Sequence, residues 1–215
     1  MFIIDFILHI DAHIYNIAHA VGGWTYLILF LVIFIETAAV VFPFLPGDSL
    51  LFAAGALSAN PAMHFNVLLF MFLFFVGAFV GDTCNFFIGR TLGYRFVHYK
   101  FFSKLIKEEN IKEAEVYFEK HGSTSIILGR YIPIIRTFVP FVAGISQFPV
   151  QSFLKRAFIA ALSWSLIATG AGYLFGNIPF VKTHFSAIIF GIVIVKILTN
   201  RSYFHFIIYQ KMSAY

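Results

Sequence analysis

Residues 129–144 read GRYIPIIRTFVPFVAG, a mostly apolar stretch that nevertheless holds two arginines, two prolines and no acidic residue. An arginine at the lipid-facing centre of a transmembrane helix costs about 2.5 to 3.5 kcal/mol on the insertion scale. Arg130 and Arg136 therefore need surroundings other than lipid, and the fold of the chain has to supply them.

Composition places the chain in a membrane. Of its 215 residues, 60% are hydrophobic, 20% are aromatic and only 12% are charged, which is more apolar surface than one water-soluble core can bury. The net charge of +5 is interpreted as membrane topology, because basic loops are held on the cytoplasmic side. No cluster of lysine and arginine alternates with stacking aromatic residues, so nucleic acid is not an expected partner.

The apolar blocks predict three transmembrane helices, since roughly 20 helical residues cross a hydrocarbon core of about 30 Å. The predicted spans are residues 65–88, 157–176 and 181–199, and a further apolar block at 24–42 contains Glu36. The sequence thus predicts an all-α polytopic membrane protein that forms a single membrane domain over residues 1–215.

Residues 90–121 are the water-facing part of the chain, predicted as a basic loop with a short surface helix. They carry seven lysines and arginines, so this loop is expected on the cytoplasmic side. Counting sides from the loop makes residues 123–148 enter and leave the membrane by the same face. The same count leaves the C-terminus in the cytoplasm.

Residues 1–20 are predicted to form an interfacial amphipathic helix. Asp5, His9, His13 and Asn16 are spaced to share one helix face, and the segment lacks the basic start of a secretory signal, so we expect it to be retained. His9 and His13 have the spacing of a helical metal pair, but the sequence offers no third ligand. A wet polar face is the preferred interpretation, and no metal is expected.

The arginine stretch is predicted to be a re-entrant helical hairpin over about residues 123–148. In an unbroken helix, residues six apart point about 240° away from one another. Pro133 lies between the arginines and allows a kink that turns both guanidinium groups toward one cavity. Pro140 and Gly144 are predicted to supply a second break in the helix.

An acidic counterpart lies earlier in the chain, where Glu36 and Asp48 are separated by breaking residues. These breaking residues are Pro43, Pro46 and Gly47. A continuous helix would separate the two carboxylates by about 18 Å, whereas a hairpin over about residues 24–57 brings them close. Two interrupted segments in corresponding halves of a membrane protein indicate inverted-repeat character and a substrate site between the repeats.

Two interpretations of these four charged residues remain open. In the first, Glu36 and Asp48 form permanent buried ion pairs with Arg130 and Arg136 that hold the two hairpins together. In the second, the arginines bind an anion, preferably a phosphate through paired hydrogen bonds, while a carboxylate takes up and releases a proton. Asp82 and Arg90, at the end of the first predicted span, are secondary candidates for the same site.

Four stretches together resemble the DedA family of bacterial inner-membrane proteins, also called the SNARE-associated or VTT-domain superfamily. They are FIETAAVVFPFLPGDSLLFAAGAL (34–57), GDTCNFFIGRTLG (81–93), EKHGSTSIILGRYIPIIRTFVPFVAGIS (119–146) and GYLFGNIPFVKTHF (172–185). They occur in the family's order and with similar spacing. Gln147 departs from the pattern, since many members have a basic residue there, and the tail after about residue 190 does not resemble the family's usual end.

The resemblance implies two re-entrant hairpins and transport of lipid across the bacterial inner membrane. In particular it implies proton-gradient-dependent return of undecaprenyl phosphate to the cytoplasmic leaflet, in support of envelope synthesis. Glu36 and Asp48 match the family's essential acidic residues, and Arg130 and Arg136 match its essential arginines. The protein is expected not to be an enzyme, and to use protons as its coupling ion with no other cofactor.

Three alternatives to a selective flippase are a broader phospholipid scramblase, a membrane lipid phosphatase and a purely structural protein. The phosphatase interpretation is weak because no histidine lies in an arrangement typical of such enzymes near the arginines. The sequence also leaves the choice of lipid, the transport direction and the oligomeric state open, with a homo-oligomer as one alternative.

Overall fold

A computed structural model describes residues 20–38, 47–97, 124–132, 135–176 and 178. Within them the chain forms six main helices: α1 (Trp24–Ala38), α2 (Gly47–Ser58), α3 (Val67–Val97), α4 (Thr124–Gly129), α5 (Ile135–Ile145) and α6 (Val150–Phe175). A short 3-10 turn, Pro61–Met63, joins α2 to α3. None of the described residues lies in a β-strand, so the predicted all-α class is confirmed for this part of the chain.

Two helices are long and apolar enough to cross a membrane, namely α3 over Val67–Thr91 and α6 over Val150–Phe175. They correspond to the predicted spans 65–88 and 157–176. The helix α3 continues to Val97, so Arg90 is helical and does not begin a loop. The helix α6 begins seven residues before its predicted start, and at 26 residues its length of about 39 Å exceeds the hydrocarbon core.

Each predicted hairpin consists of two helices, α1 and α2 in residues 24–57 and α4 and α5 in residues 123–148. The turns between these arms contain Pro43, Pro46 and Pro133, which lie outside the described residues. So do residues 1–19 of the predicted interfacial helix, most of the predicted basic loop and the predicted span 181–199. The re-entrant position of the hairpins in a membrane stays a prediction.

The predicted break at Pro140 and Gly144 is wrong, because α5 continues through both residues. Pro140 is the sixth residue of the helix, so its missing N–H removes only the hydrogen bond to the Arg136 carbonyl. Gly144 serves close packing. A Cβ atom at this position would lie 2.1 Å from the Phe86 carbonyl oxygen on α3.

The second helix of each hairpin, α2 or α5, packs against a long helix from the other half of the chain. The long helix is the one that follows the other hairpin, and we call this arrangement the crossed packing. The helix α5 contacts α3, and α2 contacts α6. At the second crossing, a Cβ atom on Gly172 would lie 2.0 Å from the Phe52 carbonyl oxygen, and one on Gly55 would lie 2.1 Å from the Thr169 carbonyl oxygen. Glycine thus sets the helix separation at both crossings. The sequence stripe Ala168, Gly172 and Gly176, spaced for close helix approach, has this role at its two glycines.

Two apolar clusters fill the interior of the described region. One consists of Ile33, Leu51, Ala54, Phe70, Phe74, Ala78, Ala161 and Trp164, and the other of Phe86, Ile126, Ala143, Phe153 and Ala157. On α3, Ala78 belongs to the first cluster and Phe86 to the second, and Asp82 lies between them at four-residue spacing on the same helix face. Asp82 therefore lies on α3 between residues of the two apolar clusters.

Candidate functional site

Arg136, the second residue of α5, binds two carboxylates. Its Nη2 donates a hydrogen bond to Oε1 of Glu36, and its Nη1 donates to Oδ1 of Asp48 over 3.1 Å. Glu36 is 1% exposed, whereas the side chain of Asp48 is 28% exposed. One guanidinium group therefore joins α1, α2 and α5, and Asp48 is its more accessible partner.

The positions of the two carboxylates follow from the ends of α1 and α2. Glu36 lies in the last turn of α1, and Asp48 lies in the first turn of α2, where the helix dipole favours a negative charge. Gly47 begins α2 beside Glu36, and a Cβ atom there would lie 2.0 Å from Glu36 Oε2. The predicted approach of Glu36 and Asp48 across the turn is confirmed by their shared partner.

Arg130, which follows α4, forms a different ion pair from the one expected. Its Nη1 donates a hydrogen bond to Oδ2 of Asp82 on α3, and the two side chains are 4% and 5% exposed. Arg130 thus pairs with Asp82, which the sequence hypothesis did not name as its partner. Asp82, a secondary candidate from sequence, is the buried partner, because it lies on the face of α3 that points into the interior.

Trp164 on α6 connects the two ion pairs. The centroid of one of its rings lies 4.8 Å from the guanidinium carbon of Arg130 and 5.0 Å from that of Arg136, which are cation–π distances. Its Nε1–H donates a hydrogen bond to Oδ1 of Asp48 over 2.7 Å. The same carboxylate oxygen thus accepts from both Trp164 and Arg136.

The two arginines consequently lie against the same indole. Because each guanidinium carbon lies within 5.0 Å of the Trp164 ring, the two carbons are at most about 10 Å apart. Sequence reasoning missed Trp164, since a single tryptophan in an apolar span is typical of packing. The available signal was the rarity of the residue, which occurs only twice in the chain.

Arg90, the other secondary candidate, serves elsewhere in the fold. It lies eight residues, or about 12 Å along α3, beyond Asp82. Its Nη1 donates to the Phe148 carbonyl oxygen over 3.0 Å, while Gln147 Nε2 donates to the Arg90 carbonyl oxygen over 3.4 Å. These hydrogen bonds of Arg90 connect α3 to the turn before α6. Gln147, which departs from the family's pattern, takes part in the same contact.

The site is an interior cluster of two arginines, three carboxylates and one indole, drawn from all parts of the described chain. Both arginines, Glu36 and Asp82 are each less than 9% exposed. Charged groups in such a position are stabilised only by one another, because transfer from water is costly. Among the described residues no group of three or more His, Cys, Asp or Glu side chains can hold a metal ion. The donors present suit an oxygen-rich anion.

Comparison with known proteins gives the family. Residues 45–174 match the VTT domain. Protein DedA of Escherichia coli strain K12 is 45% identical over 197 residues, covering 92% of this chain and 90% of that protein. The chain belongs to the DedA family. The inner membrane protein YghB of the same strain is a more distant DedA relative, 31% identical over 90% of this chain and 84% of its own length.

An uncharacterized membrane protein from Mycobacterium tuberculosis strain H37Rv is 39% identical over 79% of this chain and 74% of its own length. No solved structure matches the chain significantly. The matched VTT domain contains Asp48, Asp82, both arginines and Trp164, while Glu36 lies just before it. Membership of this membrane-protein family and the two long apolar helices together identify an integral membrane protein.

Proposed function

We propose that this DedA-family protein is a lipid transporter that moves undecaprenyl phosphate to the cytoplasmic leaflet of the bacterial inner membrane, driven by the proton gradient. The observation that carries the proposal is the pair of buried arginines on one indole, each bound by carboxylates. The choice of lipid and the direction follow from the resemblance to the family. The charged cluster supports the chemistry of the headgroup.

A phosphate group fits the donors of the cluster. Guanidinium groups bind phosphate through paired N–H donors, with geometry that lysine cannot reproduce. Arg130 and Arg136 both lie against the Trp164 ring, and we infer that side-chain movement brings both guanidinium groups onto one tetrahedral anion. The phosphate would take the places now held by carboxylate oxygens, so the acidic residues act as competitors for the arginines.

Charge balance supplies the coupling to protons. The cluster holds two arginines and three carboxylates, Glu36, Asp48 and Asp82, so the full ionisation of all five leaves an excess negative charge. Excess charge in a buried position is costly, and two carboxylates on one arginine favour a shared proton. We infer that Asp48, the more exposed of the two, exchanges this proton with the water phase.

Transport then follows from an exchange of anions. A proton on Asp48 weakens its bond to Arg136 and lets the lipid phosphate approach, and loss of the proton restores the carboxylate and expels the lipid. The two hairpins would alternate the access of the cluster to the two leaflets, as in transporters built from inverted repeats. The crossed packing of α2 on α6 and α5 on α3 supports such a repeat.

Reconstitution tests the proposal. The protein is placed in liposomes that contain undecaprenyl phosphate, and the lipid in the outer leaflet is measured over time, with and without a pH difference across the membrane. We expect movement that the pH difference accelerates and that Glu36→Gln together with Asp48→Asn abolishes. The matched control is Gly170→Ala, whose new methyl carbon would lie 3.6 Å from Met71 Cε, an ordinary van der Waals contact.

The alternatives predict different results in the same liposomes. Equal movement of phosphatidylethanolamine and undecaprenyl phosphate would identify a broad scramblase. Release of inorganic phosphate would identify a phosphatase. Absence of movement of undecaprenyl phosphate by the folded wild-type protein would overturn the proposal.

A further inference from the structure

We propose that Trp164 is a positioning residue that sets the pH at which Asp48 gives way to the lipid phosphate. The inference rests on the proposed function of the cluster. It concerns an uncharged residue on α6 whose indole donates a hydrogen bond to Asp48 and lies against the guanidinium groups of Arg130 and Arg136.

The hydrogen bond favours the ionised form of Asp48. The indole nitrogen is a donor only, and at 2.7 Å from Asp48 Oδ1 it makes a short bond with a charged acceptor. Such bonds are stronger than those between neutral groups. Protonation of Asp48 therefore weakens two hydrogen bonds, from Trp164 and from Arg136, that are donated to the same oxygen atom.

Hydrogen bonds of the two residues that flank Trp164 in sequence hold the indole in place. Ser165 Oγ donates a hydrogen bond to the Met71 carbonyl oxygen on α3 over 2.6 Å. Ser163 Oγ accepts one from the hydroxyl of Tyr131 over 2.8 Å, and Tyr131 directly follows Arg130. Trp164 itself is 3% exposed. The flanking bonds fix this turn of α6 relative to α3 and to the arginine segment, so the indole acts as a rigid reference for Asp48.

The groups that surround the indole come from every element packed against it. Among the described residues, the charged groups of the cluster are Glu36 from α1, Asp48 from α2, Asp82 from α3, Arg130 after α4 and Arg136 from α5. Of the three acids, Asp48 accepts the hydrogen bond of the indole. Removal of the N–H donor therefore acts first on the protonation of Asp48.

The test is Trp164→Phe, which keeps an aromatic ring under the arginines and removes the N–H donor. Without that donor the ionised form of Asp48 loses stabilisation, and Asp48 keeps its proton to a higher pH. We expect the pH profile of undecaprenyl phosphate transport in liposomes to move toward alkaline pH by about one unit, from the usual strength of a hydrogen bond to a charged group. The matched control is Trp24→Phe, because Trp24 is 68% exposed.

A purely structural role for Trp164 gives a different outcome. It predicts a lower amount of folded protein and a lower transport rate at every pH, with an unchanged midpoint. That result for Trp164→Phe would overturn the inference. Absence of transport by the wild-type protein would instead overturn the proposed function.

A second measurement avoids transport and the stability of Trp164→Phe altogether. The variant Trp24→Phe leaves Trp164 as the single tryptophan of the chain, and its fluorescence is recorded as the pH of detergent-solubilised protein is changed. We expect a titration of the emission that disappears when Asp48→Asn is added. Emission that does not change with pH, or a change that persists in Asp48→Asn, would contradict the inference that protonation of Asp48 alters its contact with Trp164.

Discussion

At the scale of single residues, the site depends on groups that share a partner. One oxygen of Asp48 accepts from Arg136 and Trp164, and one guanidinium group binds Glu36 and Asp48. Shared partners make the chemistry of these residues interdependent, so their substitutions are expected to be non-additive. The position of each side chain, as much as its charge, therefore decides what that residue contributes to the site.

Arg136→Lys tests the planar geometry of the guanidinium group. Lysine keeps the positive charge but cannot direct two pairs of donors at two carboxylates or at one phosphate. We expect the initial rate of undecaprenyl phosphate movement in liposomes to fall at least about tenfold, while the protein stays folded. A rate equal to that of the wild type would argue against paired hydrogen bonds to the phosphate.

Gly47→Ala tests the contact between α2 and Glu36. The new methyl carbon would lie 2.0 Å from Glu36 Oε2 and 3.0 Å from Arg136 Nη2, so the Glu36–Arg136 pair has to separate. We expect transport to be lost and the melting temperature to fall. The control is Gly23→Ala, where a methyl group would meet nothing within 4 Å. Equal behaviour of the two variants would contradict the tight contact.

At the scale of helices, the crossed packing brings the charged residues together. The arms α2 and α5 carry Asp48 and Arg136, and each arm is seated by glycine on a long helix of the other half. The backbones approach closely at these crossings, as in other membrane helix pairs with small residues. The distance between the hairpins is therefore set by glycine contacts that lie away from the charges.

Gly172→Ala tests the crossing of α2 and α6. The added methyl carbon would lie 2.0 Å from the Phe52 carbonyl oxygen, which belongs to a helix backbone and cannot rotate away. We expect a loss of stability of about 1 to 3 kcal/mol, typical of overpacking, measured as the melting temperature in detergent. Gly170→Ala on the same helix is the control and should be neutral or slightly stabilising. Equal melting temperatures would refute the glycine contact.

At the scale of the whole molecule, buried ion pairs connect the helices of the described chain. The pair Arg130–Asp82 joins the segment after α4 to α3, and the group around Arg136 joins α5 to α1 and α2. Each buried charge is tolerated only while its partner is present.

Asp82→Asn and Arg130→Gln, alone and combined, separate stability from function. Removing one partner leaves an unpaired buried charge and is expected to cost about 3 to 5 kcal/mol, whereas the double variant removes both charges and should recover much of that loss. Transport should be absent in the double variant, because Arg130 is needed for the phosphate. Melting temperatures and liposome assays of all three variants provide the measurement. A double variant that transports normally would assign Arg130–Asp82 a structural role only.

The sequence by itself determined the membrane class, the two long helices and four of the charged residues in the cluster. Helical length, apolar composition and the high transfer cost of charge act locally along the chain, so the unusual position of Arg130, Arg136, Glu36 and Asp48 is visible without coordinates. Their meeting at one place was predictable from the interrupting prolines and glycines. Family resemblance was visible for the same reason, since motifs are local patterns.

Only the tertiary structure decided which carboxylate pairs with which arginine, and that Trp164 lies between them. Glu36 and Arg136 are 100 residues apart, and Arg130 and Asp82 are 48 apart, so no local pattern relates them. Pro140 and Gly144 show the same limit, since their local tendency to break a helix yields to the packing of α5 on α3. Partners are chosen by the separation and angle of packed helices, which arise from contacts between distant parts of the chain.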